Sequence, residues 1–316
     1  MTCQPAQWLP YTLPLAHHWQ TSKGTIKQRH GELFRLNDAA GRTGWGDCAP
    51  LPAFGIPPSA ARDFAEECAQ LDLYAKRQKM SLRQLLGGSL AANSLAVNGL
   101  GGTLCQLDLQ TLEKLDSSGC QIIKLKVGTN DLTEELAALA CLREMAPKNI
   151  QWRFDANQAW QPEAALKFIR ACRGLTVDCL EEPLQQPSST ALRTLQAEAD
   201  FPLAIDESIE LLSSAFFTHP CVRRIVIKPA RSGGLLAAMA LGLRARQAGL
   251  EIVVTTALES ACGVLACAQL AAALAPEQTH GLNSEGIFLN NTGALPLIKK
   301  GRMQLPEAFG LGFTPV

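Results

Sequence analysis

Five polar residues end successive apolar segments of the chain: Asp155, Glu181, Asp206, Lys228 and Thr255, separated by 26, 25, 22 and 27 residues. That interval accommodates one strand, one helix and two short connections, so in a parallel βα array all five reach the rim where strand C-termini gather. Three are carboxylates from neighbouring strands, which would repel and push up one another's pKa unless a cation lay among them. No histidine or cysteine shares these positions, and an all-oxygen donor set suits Mg²⁺, with Mn²⁺ as a substitute. The structural alternative, in which each acid merely caps the following helix, accounts well for any one of them and poorly for three in a row flanked by lysines. Glu182 and Glu207 directly follow Glu181 and Asp206. Strand alternation sends the members of each pair to opposite faces without saying which one meets the metal.

Lys124 and Lys126 lie two apart in Ile122-Ile123-Lys124-Leu125-Lys126-Val127, so a strand there turns both ammonium groups to one face, the interior of a barrel. Burying two ammonium groups is costly without partners or a role, and proximity to each other and to a metal makes such a group a usable general base. Lys228 ends the apolar run Ile225-Val226-Ile227. Its plain reading is a salt bridge to Asp206, which leaves a catalytic part open. Asn157 repeats the two-residue spacing from Asp155 and fits a supporting position behind the metal, although Asn is also a common turn residue.

These residues need elements to hold them. Strand candidates occur at 94–100, 121–128, 150–157, 178–183, 202–208, 223–229, 251–257 and, more weakly, 279–284, with helical stretches such as 132–146 and 233–249 between them. Eight strands alternating with helices predict an α/β fold, most economically a (β/α)₇β TIM-like barrel over 91–289. An open doubly wound sheet competes, but no complete GxGxxG follows the first strand. Residues 1–90 predict an α+β capping domain: a strand-rich stretch over 5–50 with a turn at Asn37–Gly41, then a helix from Ser59. The C-terminal segment 290–316 is expected to pack back on it. A loop around 17–24 is expected to close over the site.

Composition removes other classes. The 316 residues are 47% apolar and 18% charged, and 29 basic residues balance 29 acidic ones, so no net field draws the chain to nucleic acid or to an anionic membrane. The N-terminal 19 residues, broken by three prolines, make a poor secretion signal. Leu258–Ala275, the most apolar stretch, is too short and too polar to span a bilayer and reads as a buried helix. Eleven scattered cysteines without a CxxC pair fit a reducing cytoplasm, where they pack as small hydrophobes. Weaker candidates read as structural or solvated: His17-His18, His30, His219, His280, Ser260 and Ser284. Gly101-Gly102 and Ser232-Gly233-Gly234 look like phosphate-cradling turns, a pattern of low specificity. Oligomeric state is left open.

Lys124-Leu125-Lys126, Asp155-Ala156-Asn157, Glu181-Glu182-Pro183, Asp206-Glu207-Ser208 and Ile227-Lys228-Pro229, in this order over nearly the whole chain, resemble the enolase superfamily and its muconate-lactonizing-type branch. That superfamily is cited for a lysine or histidine base with Mg²⁺ stabilising an ene-diolate. Gly44-Trp45-Gly46-Asp47, Pro50-Leu51-Pro52, Arg153 before Phe154-Asp155, and Thr255–Ser260 make the chain similar to the o-succinylbenzoate synthase family. The Asp-x-Asp of dipeptide epimerases is not apparent at Gly281-Leu282-Asn283-Ser284. The resemblance implies a small-molecule carboxylate substrate, with Mg²⁺ on Asp155, Glu181 and Asp206. It implies that Lys126 takes the α-proton and returns it to the departing hydroxyl, and that Lys228 stabilises the enediolate. Lys124 would tune Lys126, and Lys124, Arg153, Asn157, Thr255 and Gly281 would bind the substrate or support the residues that do. N-succinylamino acid racemases and dipeptide epimerases share this two-lysine scaffold, and a barrel that binds a small acid without turning it over is the non-catalytic alternative.

Overall fold

The computed structural model describes residues 6–21, 24–208, 211 and 213–316. Three antiparallel strands come first: β1 (Gln7–Thr21), β2 (Gly24–Asn37) and β3 (Thr43–Cys48). The β2–β3 turn forms because the Asp38 carboxylate accepts the amides of Ala40 and Arg42, both at 3.0 Å, a local bond that a short acidic or amide side chain makes best. The loop expected at 17–24 is strand instead, apart from residues 22 and 23, which lie outside the described residues. β1 stays extended there because it has partners on both sides: Trp19 pairs with Ile26, while Ala16 and Leu289 exchange backbone bonds with Ile287 and Pro14 at 2.9 Å.

Helix α1 (Pro58–Arg77) starts with proline in its first turn, where no amide bond is lost, and buries Ala61, Phe64, Ala65, Cys68, Ala69 and Leu73 at helical spacing. β3 lies directly on that face. A Cβ at Gly44 or Gly46 would sit 2.1 Å or 1.9 Å from the carbonyl oxygens of Ala69 and Ala65, so the two glycines are what allow strand and helix to touch. A capping box of Ser81 and Gln84 starts α2 (Leu82–Gly87).

The stretch 94–100 predicted as one strand is two, β4 (Ser94–Val97) and β5 (Gly99–Thr103), divided at Asn98. β5 begins the parallel array, followed in turn by α3 (Leu109–Ser117), β6 (Ile122–Lys126), α4 (Leu132–Met145), β7 (Gln151–Asp155), α5 (Pro162–Ala171), β8 (Val177–Glu181), α6 (Ser189–Glu198), β9 (Leu203–Ile205), α7 (Ser214–Thr218), β10 (Arg224–Ile227), α8 (Leu235–Gln247), β11 (Glu251–Val254) and α9 (Ala261–Leu274). Strands β5 to β11 neighbour one another in chain order in one curled parallel sheet. β12 (Thr279–His280) pairs with β4, whose other neighbour is β14 (Arg302–Gln304), itself paired with β13 (Ile298–Lys299). Past β11, Thr255 bridges Gly281, and the Gly281 amide donates to the Val254 carbonyl at 3.0 Å.

Alternation gives the sheet two apolar sides. Ile123, Leu125, Phe154, Leu180 and Ile225 belong to the main core with the helices, while Cys179, Ala204, Val226 and Val253, one from each of β8 to β11, form a small separate cluster. The buried helix expected within Leu258–Ala275 is α9, with every residue but Ala273 buried. Among the described residues no helix is long and apolar enough to cross a membrane, and the ten described cysteines are all free. The C-terminal segment reaches the N-terminal elements as well as β4: the Leu311 amide donates to Asp72 of α1 at 2.6 Å, and the Leu82 amide to the Gly310 carbonyl at 2.7 Å.

Candidate active site

The register of the sheet builds a charged floor. Lys126 pairs with Asp155 and Asp155 with Glu181 along β6, β7 and β8, so three functional side chains end one transverse row. Lys124, one turn of the pleat below Lys126, bridges two acids, with its Nζ 2.8 Å from Asp155 Oδ2 and 2.8 Å from Glu181 Oε2. Lys126 donates to Asp155 Oδ2 at 2.6 Å and to Asn157 Oδ1. Asn157 holds the left-handed conformation at φ 43°, which asparagine tolerates, and its Nδ2 donates to Glu207 Oε1 at 2.7 Å. From β10, Lys228 donates to Asp206 Oδ2, and Arg231, three residues on, donates to Asp206 Oδ1 at 2.7 Å.

Glu181 and Glu182 turn to opposite sides, the first at the end of β8 and the second just past it. Glu181 faces the lysines, while Glu182, at φ 46°, turns under the next loop and accepts the amides of Asp206 (2.6 Å) and Ser208 (2.7 Å) and the Ser208 hydroxyl (2.6 Å). Asp206 and Glu207 do not divide: both line the cavity, because the chain has left the strand at Ile205. The plain reading of Lys228, a salt bridge to Asp206, is what the geometry shows, at a lysine that also lines the cavity.

Over this floor lies a cavity of about 460 Å³. Lys124, Lys126, Asp155, Asn157, Asp206, Glu207 and Lys228 reach it from below. Thr255 to Leu258 and Gly281 form one wall, and Thr103 with Gln106 lines another part. The N-terminal elements cover it with His17, His18, Trp19 and Ile26, then Leu51 and Phe54. Gly281 keeps the wall thin, since a Cβ there would lie 2.6 Å from Thr255 Oγ1, and that hydroxyl donates to the Gly281 carbonyl at 2.9 Å.

Electrostatics set this floor apart. Burial works against the charged forms of Asp155 and Asp206, yet Lys124 and Lys126 beside the first, and Lys228 and Arg231 beside the second, hold both carboxyls below the usual range. Burial likewise opposes the Lys124 ammonium, and the Asp155 and Glu181 charges more than offset it, raising its pKa. Glu181 goes the other way: burial, then repulsion from Asp155, raise it to about 7 against the pull of Lys124. Burial and the charges of Asp206 and Asp155 raise Glu207 as well.

As it stands, among the described residues, no three His, Cys, Asp or Glu side chains are gathered as a ready metal cage, because ammonium groups stand between the acids. The donor chemistry nonetheless fits a hard divalent cation. All donors are carboxylate oxygens, and Glu181 Oε1 and Glu207 Oε2 are buried without a hydrogen-bond partner.

Arg153, expected to bind substrate or to support the residues that do, does not line the cavity; it is buried in an ion pair with Asp178 (2.7 Å) and meets the site through the cavity-lining Asn98, at 3.3 Å. Although level with the cavity-lining Lys124 in the sheet register, its guanidinium turns to Asp178 and the Thr279 carbonyl. Two readings of glycine turns need correction. The turn at Ser232-Gly233-Gly234 holds no phosphate cradle: the Glu67 carboxylate of α1 already accepts the amides of Leu235 and Leu236. Gly101 and Gly102 lie within β5 and lead into only a three-residue 3-10 turn, Leu104–Gln106. Sequence reasoning did not single out Thr103, Gln106 or Arg231, read His17 and His18 as structural or solvated, and left open which of Asp206 and Glu207 meets the metal. Of the first three, Arg231 carried a usable signal, a cation in the loop just after a charged strand end.

The fold and site define an α/β enzyme class that ends parallel strands in carboxylates and lysines. The chain belongs to the enolase superfamily: the family model "Enolase C-terminal domain-like" matches residues 108–316. It is 29% identical over 288 residues to an o-succinylbenzoate synthase of Edwardsiella ictaluri, covering 87% of this chain and 88% of that one. It is also 29% identical over 279 residues to a hydrophobic dipeptide epimerase of Enterococcus faecalis, covering 84% of this chain and 74% of the relative. Among solved structures, a dipeptide epimerase of Enterococcus faecalis in complex with Mg and the dipeptide L-Leu-L-Tyr superposes with a TM-score of 0.87 at 22% identity, over 99% of this chain and 100% of the other.

Proposed function

We propose that the protein is a Mg²⁺-dependent lyase that dehydrates succinyl-hydroxy-cyclohexadiene carboxylate to o-succinylbenzoate, the step that serves menaquinone synthesis. The observation that carries this reading is the pair of lysines, Lys126 from β6 and Lys228 just past β10, reaching one cavity over a floor of buried carboxylates. The relatives with near full-length coverage named o-succinylbenzoate synthase support it.

A proton beside a carboxylate is too weakly acidic for an unassisted amine, so the enediolate must be stabilised by several kcal/mol. A magnesium ion on Asp155, Glu181 and Asp206 would supply that electrostatic stabilisation and take up carboxylate charge now answered by lysines. Lys126 Nζ accepts the α-proton and then delivers it to the departing hydroxyl, so one amine serves as base and then acid. Lys228 stays an ammonium and holds the negative charge of the enediolate, while Lys124 keeps Asp155 and Glu181 in place. Asn157 orients Lys126 through its side-chain oxygen, and the apolar cover of Trp19, Ile26, Leu51 and Phe54 excludes water.

In the same reading, residues 91–289 form a closed (β/α)₇β barrel, the ring completed through β12 by its pairing with β4 and the Thr255–Gly281 bridge. Residues 1–90 form the cap, with 290–316 returning to it. A cytoplasmic place accords with ten unpaired cysteines. A second reading, racemisation of N-succinylamino acids or epimerisation of dipeptides, is favoured by the epimerase relatives at equal identity; there Lys228 would be the second acid and base.

The test incubates purified protein with Mg²⁺ and the cyclohexadiene substrate and follows product absorbance, with Lys126→Ala as control. Parallel assays follow loss of optical activity of N-succinylamino acids and change in optical rotation of dipeptides. Lysine-dependent dehydration supports the lyase, and inversion alone supports the second reading. Near-normal turnover by Lys126→Ala sinks both.

A further inference from the structure

The cavity wall at Thr256, Ala257 and Leu258 is held in a form it would not keep alone. Leu258 sits at φ 61°, in the left-handed region that side chains other than glycine leave unless their surroundings fix them. The Ala257 amide is held locally by the Glu259 carboxylate and the Thr256 amide by the Gly281 carbonyl at 3.2 Å, while Leu258 and Ser260 are held from the N-terminal sheet, one residue per strand. Arg29 of β2 donates Nε to the Leu258 carbonyl at 3.2 Å, while its two terminal nitrogens donate to the carbonyls of Pro50 (2.9 Å) and Ala49 (2.8 Å), so the guanidinium is anchored at three points. Asp47 of β3 accepts the Ser260 amide at 2.9 Å, and Tyr11 of β1 donates its hydroxyl to the other Asp47 oxygen at 2.6 Å.

Two glycines make room for this arrangement. A Cβ at Gly31 would lie 2.4 Å from the Tyr11 hydroxyl, and one at Gly263 would lie 2.6 Å from Asp47 Oδ2. Arg29 and Asp47 are buried, and none of the three side chains lines the cavity. Lys126, Lys228, Asp155 and Asp206 are held by other strands and by one another, with no bond to this group.

We infer that Arg29, supported by Asp47 and Tyr11, is a positioning residue for substrate binding: the N-terminal sheet clamps the Thr256–Leu258 wall and so sets the fit of the substrate without touching the reacting atoms. The clamp therefore governs how well substrate is held, and the floor governs how fast it reacts. This rests on the reading of the cavity as the place where a small carboxylate is turned over.

The experiment compares Arg29→Met, Arg29→Lys and Tyr11→Phe in the full chain, by steady-state kinetics with Mg²⁺ and by amide hydrogen exchange over 255–261 without substrate. For Arg29→Met the expected result is a KM raised about tenfold with kcat within about threefold, the pattern of lost ground-state binding. Exchange of the Ala257 and Ser260 amides should rise by about tenfold, as the segment opens more often. Arg29→Lys, which keeps a charge and a donor, should recover part of both losses, and Tyr11→Phe should raise KM by about threefold.

Unchanged KM with unchanged exchange overturns the inference, as does a fall in kcat at constant KM or an Arg29→Lys no better than Arg29→Met. Should Arg29→Met fail to fold, Tyr11→Phe, which removes one hydroxyl, is judged by the same two readouts. If the unaltered protein turns over neither substrate class, the functional reading fails while exchange still decides the clamp: faster exchange in the variants supports it, and unchanged exchange overturns it.

Discussion

The two ends of the parallel strands each bury a cluster of charges, and the clusters are built on opposite principles. At the N-terminal end, Asp178 accepts Arg153 Nε at 2.7 Å and Arg224 Nη1 at 2.6 Å, while Arg224 also binds Glu251 and Arg153 also donates to the Thr279 carbonyl at 3.0 Å. None of its residues lines the cavity, and no atom of Arg153, Asp178 or Arg224 is buried without a partner. At the C-terminal end, acids and lysines crowd beneath a cavity, two carboxylate oxygens lack partners, and Glu181 is driven up to about 7, chiefly by burial. Buried charge does not distinguish a site from a brace. An unfinished set of partners next to open space does.

The comparison breaks first on Lys126. Lys126→Ala should reduce turnover by about 10³-fold or more, the share a positioned acid–base group supplies, with the fold intact by circular dichroism. Retained turnover would show that the C-terminal cluster is another brace. Asp178→Asn is the reciprocal test: with two arginines left facing a neutral amide, unfolding free energy should drop by about 3–5 kcal/mol in a denaturant titration. Turnover per folded molecule should be little changed. A variant that stays stable but loses activity would assign Asp178 to the site.

Acid separates the braces from each other. His280 is buried, takes the Val254 amide on Nδ1 at 3.0 Å and faces the Ala275 carbonyl with Nε2 at 2.9 Å, and burial lowers its pKa to about 4. The folded state then binds its proton less readily than the unfolded chain. The stability it contributes is complete above pH 6.5 and falls as pH drops towards 4, by about 3 kcal/mol in all. For Asp178, burial opposes ionisation but Arg153 and Arg224 outweigh it and lower the pKa to about 2. Its contribution, about 2 kcal/mol, is complete above the ordinary value near 3.8 and is lost only below that. Buried carboxyls such as Glu181, raised to about 7, gain stability over the same upper range, so each effect is read as a difference from the unaltered protein between pH 7 and 2: His280→Gln should remove the loss between pH 6.5 and 4, and Asp178→Asn the loss below 3.8.

How much of this was legible depended on whether the signal was local. The strand ends at Asp155, Glu181 and Lys228 were visible because apolar strands stop at charged residues on a steady beat, and the α9 helix because its apolar run is long. Lys124 and Lys126 shared a face because a pleat has a period of two. The split of the first strand at Asn98 was invisible, since it depends on β4 pairing with β14 some 200 residues away. Which of its two expected places Arg153 takes was not legible, because its partners Asp178 and Asn98 are brought to it only by the folded sheet. His17 and His18 carried no spacing that would mark them as cavity-lining, because the β1–β2 hairpin reaches the site through tertiary docking, at 287–289 and at Leu258.

The smallest expected effect is the most telling about the C-terminal cluster. Glu181 is buried, one of its oxygens has no partner, and Lys124, which binds the other at 2.8 Å, is equally held by Asp155 at 2.8 Å. Glu181→Gln keeps the shape, removes a carboxylate that repels Asp155 and leaves Lys124 one charged partner. Thermal and denaturant unfolding without divalent cation should therefore shift by less than about 1 kcal/mol, against the several expected for Asp178→Asn. Under the same conditions, isothermal titration should show Mg²⁺ affinity reduced by at least about tenfold, since a neutral amide is a poorer donor to a hard cation. A loss of stability as large as that of Asp178→Asn would mean that Glu181 holds the sheet together and that its unpartnered oxygen is incidental. A neutral change would mean that the chain keeps this acid at no structural gain, which is what a residue retained for a ligand looks like.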